Sequence, residues 1–149
     1  MLHKVKKFFK LPIQEQFLFF EAYGTLGLMR LAILTISFKK LTSSLQHYTK
    51  KYELREVDES QKKMAYTIGK AIERAALHTP WESACLAQAF TAQKMLQKRG
   101  IPGVFYLGIA KSNECEEKMK AHAWSQCGNT IITGARGHKA FTVLSVFGW

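Results

Sequence analysis

The stretch PWESACLAQAFTAQKMLQKRGIP, residues 80 to 102, decides how the rest of the chain is read. Leu86, Ala89, Phe90, Ala92 and Leu96 recur at helical spacing, and Gly100 with Pro102 stops the helix. Upstream, Thr79, Pro80 and Glu82 spell a capping-box start with proline at the first helical position, and Ser83 is a second cap candidate. Cys85 falls in the first turn if Ser83 caps and in the second if Thr79 does. A thiol so placed is either a small hydrophobe in a core or a nucleophile beside the positive end of a helix.

Outward from this helix the periodicity changes. After Gly100 it becomes two: VFYLGIA (104–110) reads as a strand, and KAHAWSQ (120–126) with TIITG (130–134) as a hairpin turning at Cys127, Gly128 and Asn129. FTVLSVF (141–147) closes the sheet. On the other side, SQKKMAYTIGKAIERAAL (60–77) reads as a helix burying Met64, Ile68, Ala71 and Ile72, and the segment from Ile13 to about Leu45 reads as helical and apolar nearly all round. Helices followed by a small antiparallel sheet with a helix against it make an α+β fold. The polar run KKYELREVDES (50–60) is the linker candidate, dividing a helical segment (1–52), for packing or partner binding, from a core over 53–149, the two in one compact unit.

Composition narrows the function. The 47% hydrophobic and 22% charged residues indicate a globular chain. Three cysteines at irregular spacing make no disulfide framework and suit reduced thiols in the cytoplasm. A net charge of +11 fits a solvated basic surface or an anionic peptide or lipid partner, while no nucleic-acid motif is present. AYGTLGLMRLAILTISF (22–38) is apolar, but Arg30 interrupts it and Glu15 and Glu21 precede it, so neither a span nor membrane contact is expected. The basic start lacks the pattern of a secretory signal. An apolar patch on the N-terminal helices would serve as a partner surface.

The chemical candidates are few. Cys85 at a helix start, followed by a strand bearing His122, is the arrangement of a cysteine hydrolase: the thiolate attacks, and the imidazole carries the proton to the leaving amine. A zinc site from Cys115, His122, Cys127 and His138 lacks the usual paired spacing, so no metal or other cofactor is expected. Cys115 reads as a loop thiol and Cys127 as a turn thiol. Trp81 precedes the cysteine as a groove or packing residue, and Trp124, on the strand face of His122, is core aromatic or a lid over the imidazole.

PWESACLAQAFTAQKMLQKRGIP, then FYLGIAK, then AHAW together resemble the leader peptidases of lasso-peptide biosynthesis, small transglutaminase-like cysteine proteases, over about residues 79 to 147. The resemblance implies a transglutaminase/papain-like core with Cys85 as nucleophile and His122 as general base and acid. It also implies a precursor-peptide substrate, delivery by a separate leader-recognition protein, and a macrocyclase acting on the freed core. The same scaffold supports acyl transfer, and a non-catalytic basic peptide- or membrane-binding module is the third alternative. The family usually has an aspartate on the strand after the histidine, but here no acid follows Glu117. Thr133, a backbone carbonyl or His138 are the candidate imidazole orienters. A three-residue turn sets Gly134 across from His122, and a two-residue turn sets Thr133 diagonal to it on the same face. Asn129, at the turn, lies about 15–20 Å away at ~3.3 Å per residue.

Overall fold

The structure, a computed structural model, describes residues 1–49, 52–111 and 119–149. Helices α1 (Leu2–Phe9), α2 (Ile13–Thr35) and α3 (Phe38–Leu41) lead to a short strand β1 (Gln46–Tyr48). Helices α4 (Glu59–Ala76) and α5 (Cys85–Lys98) follow, and then strands β2 (Val104–Lys111), β3 (Met119–Cys127), β4 (Thr130–Thr133) and β5 (Thr142–Gly148). The strands form one antiparallel sheet in the order β1-β5-β2-β3-β4. The α+β class expected from the change of period is what the chain adopts.

Local chemistry accounts for the helix ends. Asp58 and Gln61 form a reciprocal capping box at the start of α4. At the end of α5, Gly100 takes φ +68° and the N–H of Ile101 reaches back to the Leu96 carbonyl, the paired closure that a left-handed glycine permits. The helix expected from Ile13 to about Leu45 stops at Thr35 and resumes only as the short α3. Ser37 caps only the single turn of α3, and the chain then extends to pair with β5 through His47 and Phe147.

Two apolar layers hold the fold. Leu18, Ala22 and Leu26 of α2 pack on Ile68, Ile72 and Ala75 of α4 and on Met95 and Leu96 of α5. Phe90 of α5 sits edge-on to Phe105 at 5.1 Å, and Phe105 stacks on its cross-strand partner Phe147 at 5.0 Å. These contacts define an inner, helix-facing side of the sheet, carrying the odd-numbered residues of β2 and β3. The even-numbered residues point to the outer side.

Candidate active site

Helix α5 begins at Cys85 itself. Its N-cap is Ala84, whose methyl group cannot accept a hydrogen bond, so neither Thr79 nor Ser83 caps the helix as expected. Their hydroxyls bond each other at 2.7 Å instead, and the Gln88 amide donates back to the Ser83 carbonyl. The lead-in is thereby an extended, self-bonded loop, and among the described residues the first-turn N–H groups beside the thiol keep no side-chain partner. Cys85 is half-buried and packs against the inner layer of Ala89, Phe90, Phe105 and Ala123.

His122 belongs to the other side. It pairs across the ladder with Gly108, and its ring lies 5.6 Å from Trp124 and 5.0 Å from Phe141. A Cβ on Gly108 would fall 2.9 Å from Phe141 Cβ and 3.0 Å from Trp124 Cζ3, so the missing side chain makes room for this aromatic box. Among the described residues, the ring's one hydrogen bond runs from Nε2 to the Gly134 carbonyl at 2.7 Å. A carbonyl only accepts, so Nε2 carries the proton. In the neutral ring this leaves Nδ1 as the free base. Cys85 and His122 thus lie on opposite sides of β3. β4 stops at Thr133, so on that side no described strand pairs with β3 from Met119 to Trp124. The imidazole leans to this open edge.

The third group differs from the residue favoured by sequence. The hairpin closes on the two-residue turn Gly128–Asn129, with Gly128 at φ +53° and Cys127 opposite Thr130. A bulge then shifts the register, so that Ser125 faces Thr133 while Gln126 faces Ile131. The extra residue, Ile132, turns Thr133 to the inner side, where its hydroxyl bonds Ser125 at 2.7 Å, buried. Thr133 therefore does not orient the imidazole; the backbone carbonyl of Gly134 does. Gly134 takes φ +73°, and a Cβ there would lie 2.5 Å from the Ala123 carbonyl oxygen. Only glycine brings its carbonyl this close. His138 bonds the Ala135 carbonyl and leans on Trp124 at 5.7 Å, away from the role considered for it.

Trp124 is 4% exposed and lies between the His122 and Tyr106 rings, so it both fills the outer layer and covers the imidazole. Trp81 turns onto α2 rather than a groove. Its ring meets Tyr23 edge-on at 5.2 Å, and a Cβ on Gly27 would lie 3.1 Å from it. Its buried Nε1–H has no partner among the described residues. Cys127 ends β3 fully buried in the α2–α4–α5 layer, a core thiol rather than a turn thiol, and burial pushes its pKa up. It lies on the face opposite His122, which separates these two members of the zinc set considered above; Cys115 lies outside the described residues. A cleft of about 390 Å³ runs beside the site, between Tyr66 and Lys70 of α4, Gln88 of α5, and Thr133, Gly134 and Arg136. Neither Cys85 nor His122 lines it; its nearest links to them are Gln88, one turn beyond Cys85, and Gly134, whose carbonyl bonds His122. The bulge, the uncapped helix start and this cleft carry no sequence signal, apart from the glycine at 134.

No curated protein and no solved structure matches the chain. A family described as the transglutaminase-like superfamily, whose enzymes are cysteine proteases and acyltransferases, matches residues 28–146. The match spans most of the chain, including the cysteine helix, the histidine strand and the closing strand, and the protein belongs to the transglutaminase-like superfamily.

Proposed function

We propose that this protein is a cytoplasmic cysteine peptidase that removes the leader from a lasso-peptide precursor. The observation that carries the reading is Cys85 at the first position of a helix without a side-chain cap, where first-turn N–H groups can serve a developing oxyanion. The resemblance of PWESACLAQA and AHAW to leader peptidases supports the substrate class.

The chemistry is acyl transfer in two steps. Nδ1 of His122 takes the thiol proton, sulfur bonds to the scissile carbonyl carbon, and the C–N bond breaks as the imidazolium protonates the departing amine of the core peptide. Water then attacks the thioester, with His122 taking its proton, to release the leader carboxylate and restore the thiol. Gly134 supports the Nδ1-basic tautomer as the family's aspartate would, with a dipole in place of a charge. Because the two groups lie on opposite sides of β3, the proton transfer requires the imidazole to reach Cys85 around the open edge of that strand. The cleft lined by Gln88 and Gly134 is where the peptide would lie. A separate leader-recognition protein presents the precursor, and a macrocyclase takes the freed core.

A second reading rests on one observation. Cys85 and His122 lie on opposite faces, with a glycine carbonyl where the family has an acid, which favours a peptide-binding module that does not cut. Intact mass spectrometry of the precursor, incubated with its leader-recognition protein and this chain, decides between them. The peptidase gives one cut at the leader boundary that Cys85→Ala abolishes. No cut, with the leader shown to be bound, supports the binding module.

A further inference from the structure

Helix α2 is apolar on two opposite sides. At 100° per residue, Leu18, Ala22 and Leu26 lie on one face and pack into the body. Ile13, Phe17, Phe20, Leu28, Leu31 and Leu34 lie on the other and are between 59 and 72% exposed. That second face runs the length of the helix without a charge, and Gly24 sits in its middle. Helix α1 continues it: Leu2, Val5 and Phe9 share an exposed side, and the inner Phe8 ties α1 to Phe19 and Phe20. A lone exposed leucine is ordinary, but a stripe of this length is not.

The charges around it are of one sign. Lys4, Lys6, Lys7 and Lys10 stand at one end of the stripe and Lys39 and Lys40 at the other, all exposed. Only Glu15 and Glu21 are acidic before Glu53, and both turn to the body. Glu15 pairs with Arg74 at 3.9 Å, and Glu21 pairs with Arg99 at 2.6 Å and Lys98 at 3.6 Å. The outward face is thus apolar along its length, basic at both ends and free of acid. Because the opposite face of α2 is committed to α4 and α5, the helix lies flat on the body and is not free to cross a bilayer as a separate rod.

We infer that α1 and α2 form a docking surface for an anionic lipid bilayer, the helices lying in the interface plane with the stripe among the acyl chains and the six lysines at the headgroups. This departs from the expectation that the chain makes no membrane contact, which weighed Arg30 and the two glutamates against a span. The structure turns Glu15 and Glu21 inward and pairs Arg30 with Glu82 at 3.5 Å, off the stripe. The inference does not depend on the peptidase reading.

Co-sedimentation with vesicles tests it. The protein is expected to bind phosphatidylcholine vesicles containing phosphatidylglycerol at least about tenfold more tightly than phosphatidylcholine alone, and to release in high salt. Replacing Lys4, Lys6, Lys7 and Lys10 with Gln should reduce binding by at least about tenfold, since each lysine near an anionic surface adds to the attraction. The triple change Phe17→Ser, Leu28→Ser and Leu31→Ser should do the same while the circular dichroism spectrum stays that of the folded protein. Three results overturn the inference. These are no preference for anionic vesicles, a wild-type dimer in sedimentation velocity that the serine variant breaks, and membrane association that only detergent reverses. The lysine variant keeps the test decisive should the serine variant unfold.

Discussion

The two faces of the sheet are built by different means. On the inner face, Phe90, Phe105 and Phe147 stack between α5 and the strands, and Cys85 is positioned because its helix is packed. On the outer face, His122 is positioned by what is absent: a side chain at Gly108 and another at Gly134, with Trp124 and Phe141 closing around the ring. Cys85 inherits the stability of the core, whereas the His122 ring depends on two glycines and one carbonyl. Substitutions should therefore separate, some damaging the fold and others the chemistry.

The largest effect sharpens this comparison. Cys85→Ala and His122→Ala should each lower precursor cleavage by about 10³-fold or more while changing unfolding free energy by no more than about 1 kcal/mol, read by mass spectrometry and by urea titration. Equal losses of activity and stability would merge the two faces. Phe90→Ala should do the converse, costing about 3–5 kcal/mol because a ring 1% exposed leaves a cavity between Phe38 and Phe105. Gly134→Ala combines a left-handed backbone with a collision at the Ala123 carbonyl. It is expected to cost about 1–3 kcal/mol and to lower cleavage beyond what the lost stability explains. An unaltered rate in that variant at a temperature where it is folded would remove the carbonyl from the mechanism.

The smallest effect lies far from both faces. Glu21 joins α2 to Arg99 of α5, and that hydrogen bond, helped by the charges of Arg99 and Lys98 against the cost of burial, holds its carboxyl below the usual range. A depressed carboxyl stabilises the fold fully above the unfolded value, and that stability is lost as pH falls through the folded one. Glu21→Gln should cost about 1 kcal/mol at neutral pH and flatten the decline in melting temperature below about pH 4. A parallel decline in both proteins would show that the pair does not contribute.

Sequence periodicity was enough for the parts of the fold that repeat. Alternation marked β2, β3 and β5 within a residue or so of their ends, and the Gly100 stop of α5 followed from its own chemistry. What escaped it depends on contacts distant in the chain. Strand β1 has no alternation worth the name over three residues and exists because β5 offers it an edge. Thr79 and Ser83 have the right side chains for a cap, but they satisfy each other. The bulge at Ile132 is invisible in TIITG, yet it moves Thr133 from the imidazole to Ser125. Cys85 and His122 were legible as residues. Their placement on opposite faces was legible only in part, because alternation orders residues on a strand without saying which side the cysteine helix covers.

The central claim is that Cys85 and His122 work as one unit across the open edge of β3, and the rate of Cys85 alkylation reads it most directly. Native protein and His122→Ala would be treated with iodoacetamide at neutral pH and the labelled peptides weighed, with the core thiol Cys127 as an internal standard that stays unmodified until unfolding. A coupled pair predicts that loss of the imidazole slows labelling of Cys85 at least about tenfold. Equal rates in the two proteins would contradict the account and leave Cys85 a packing residue.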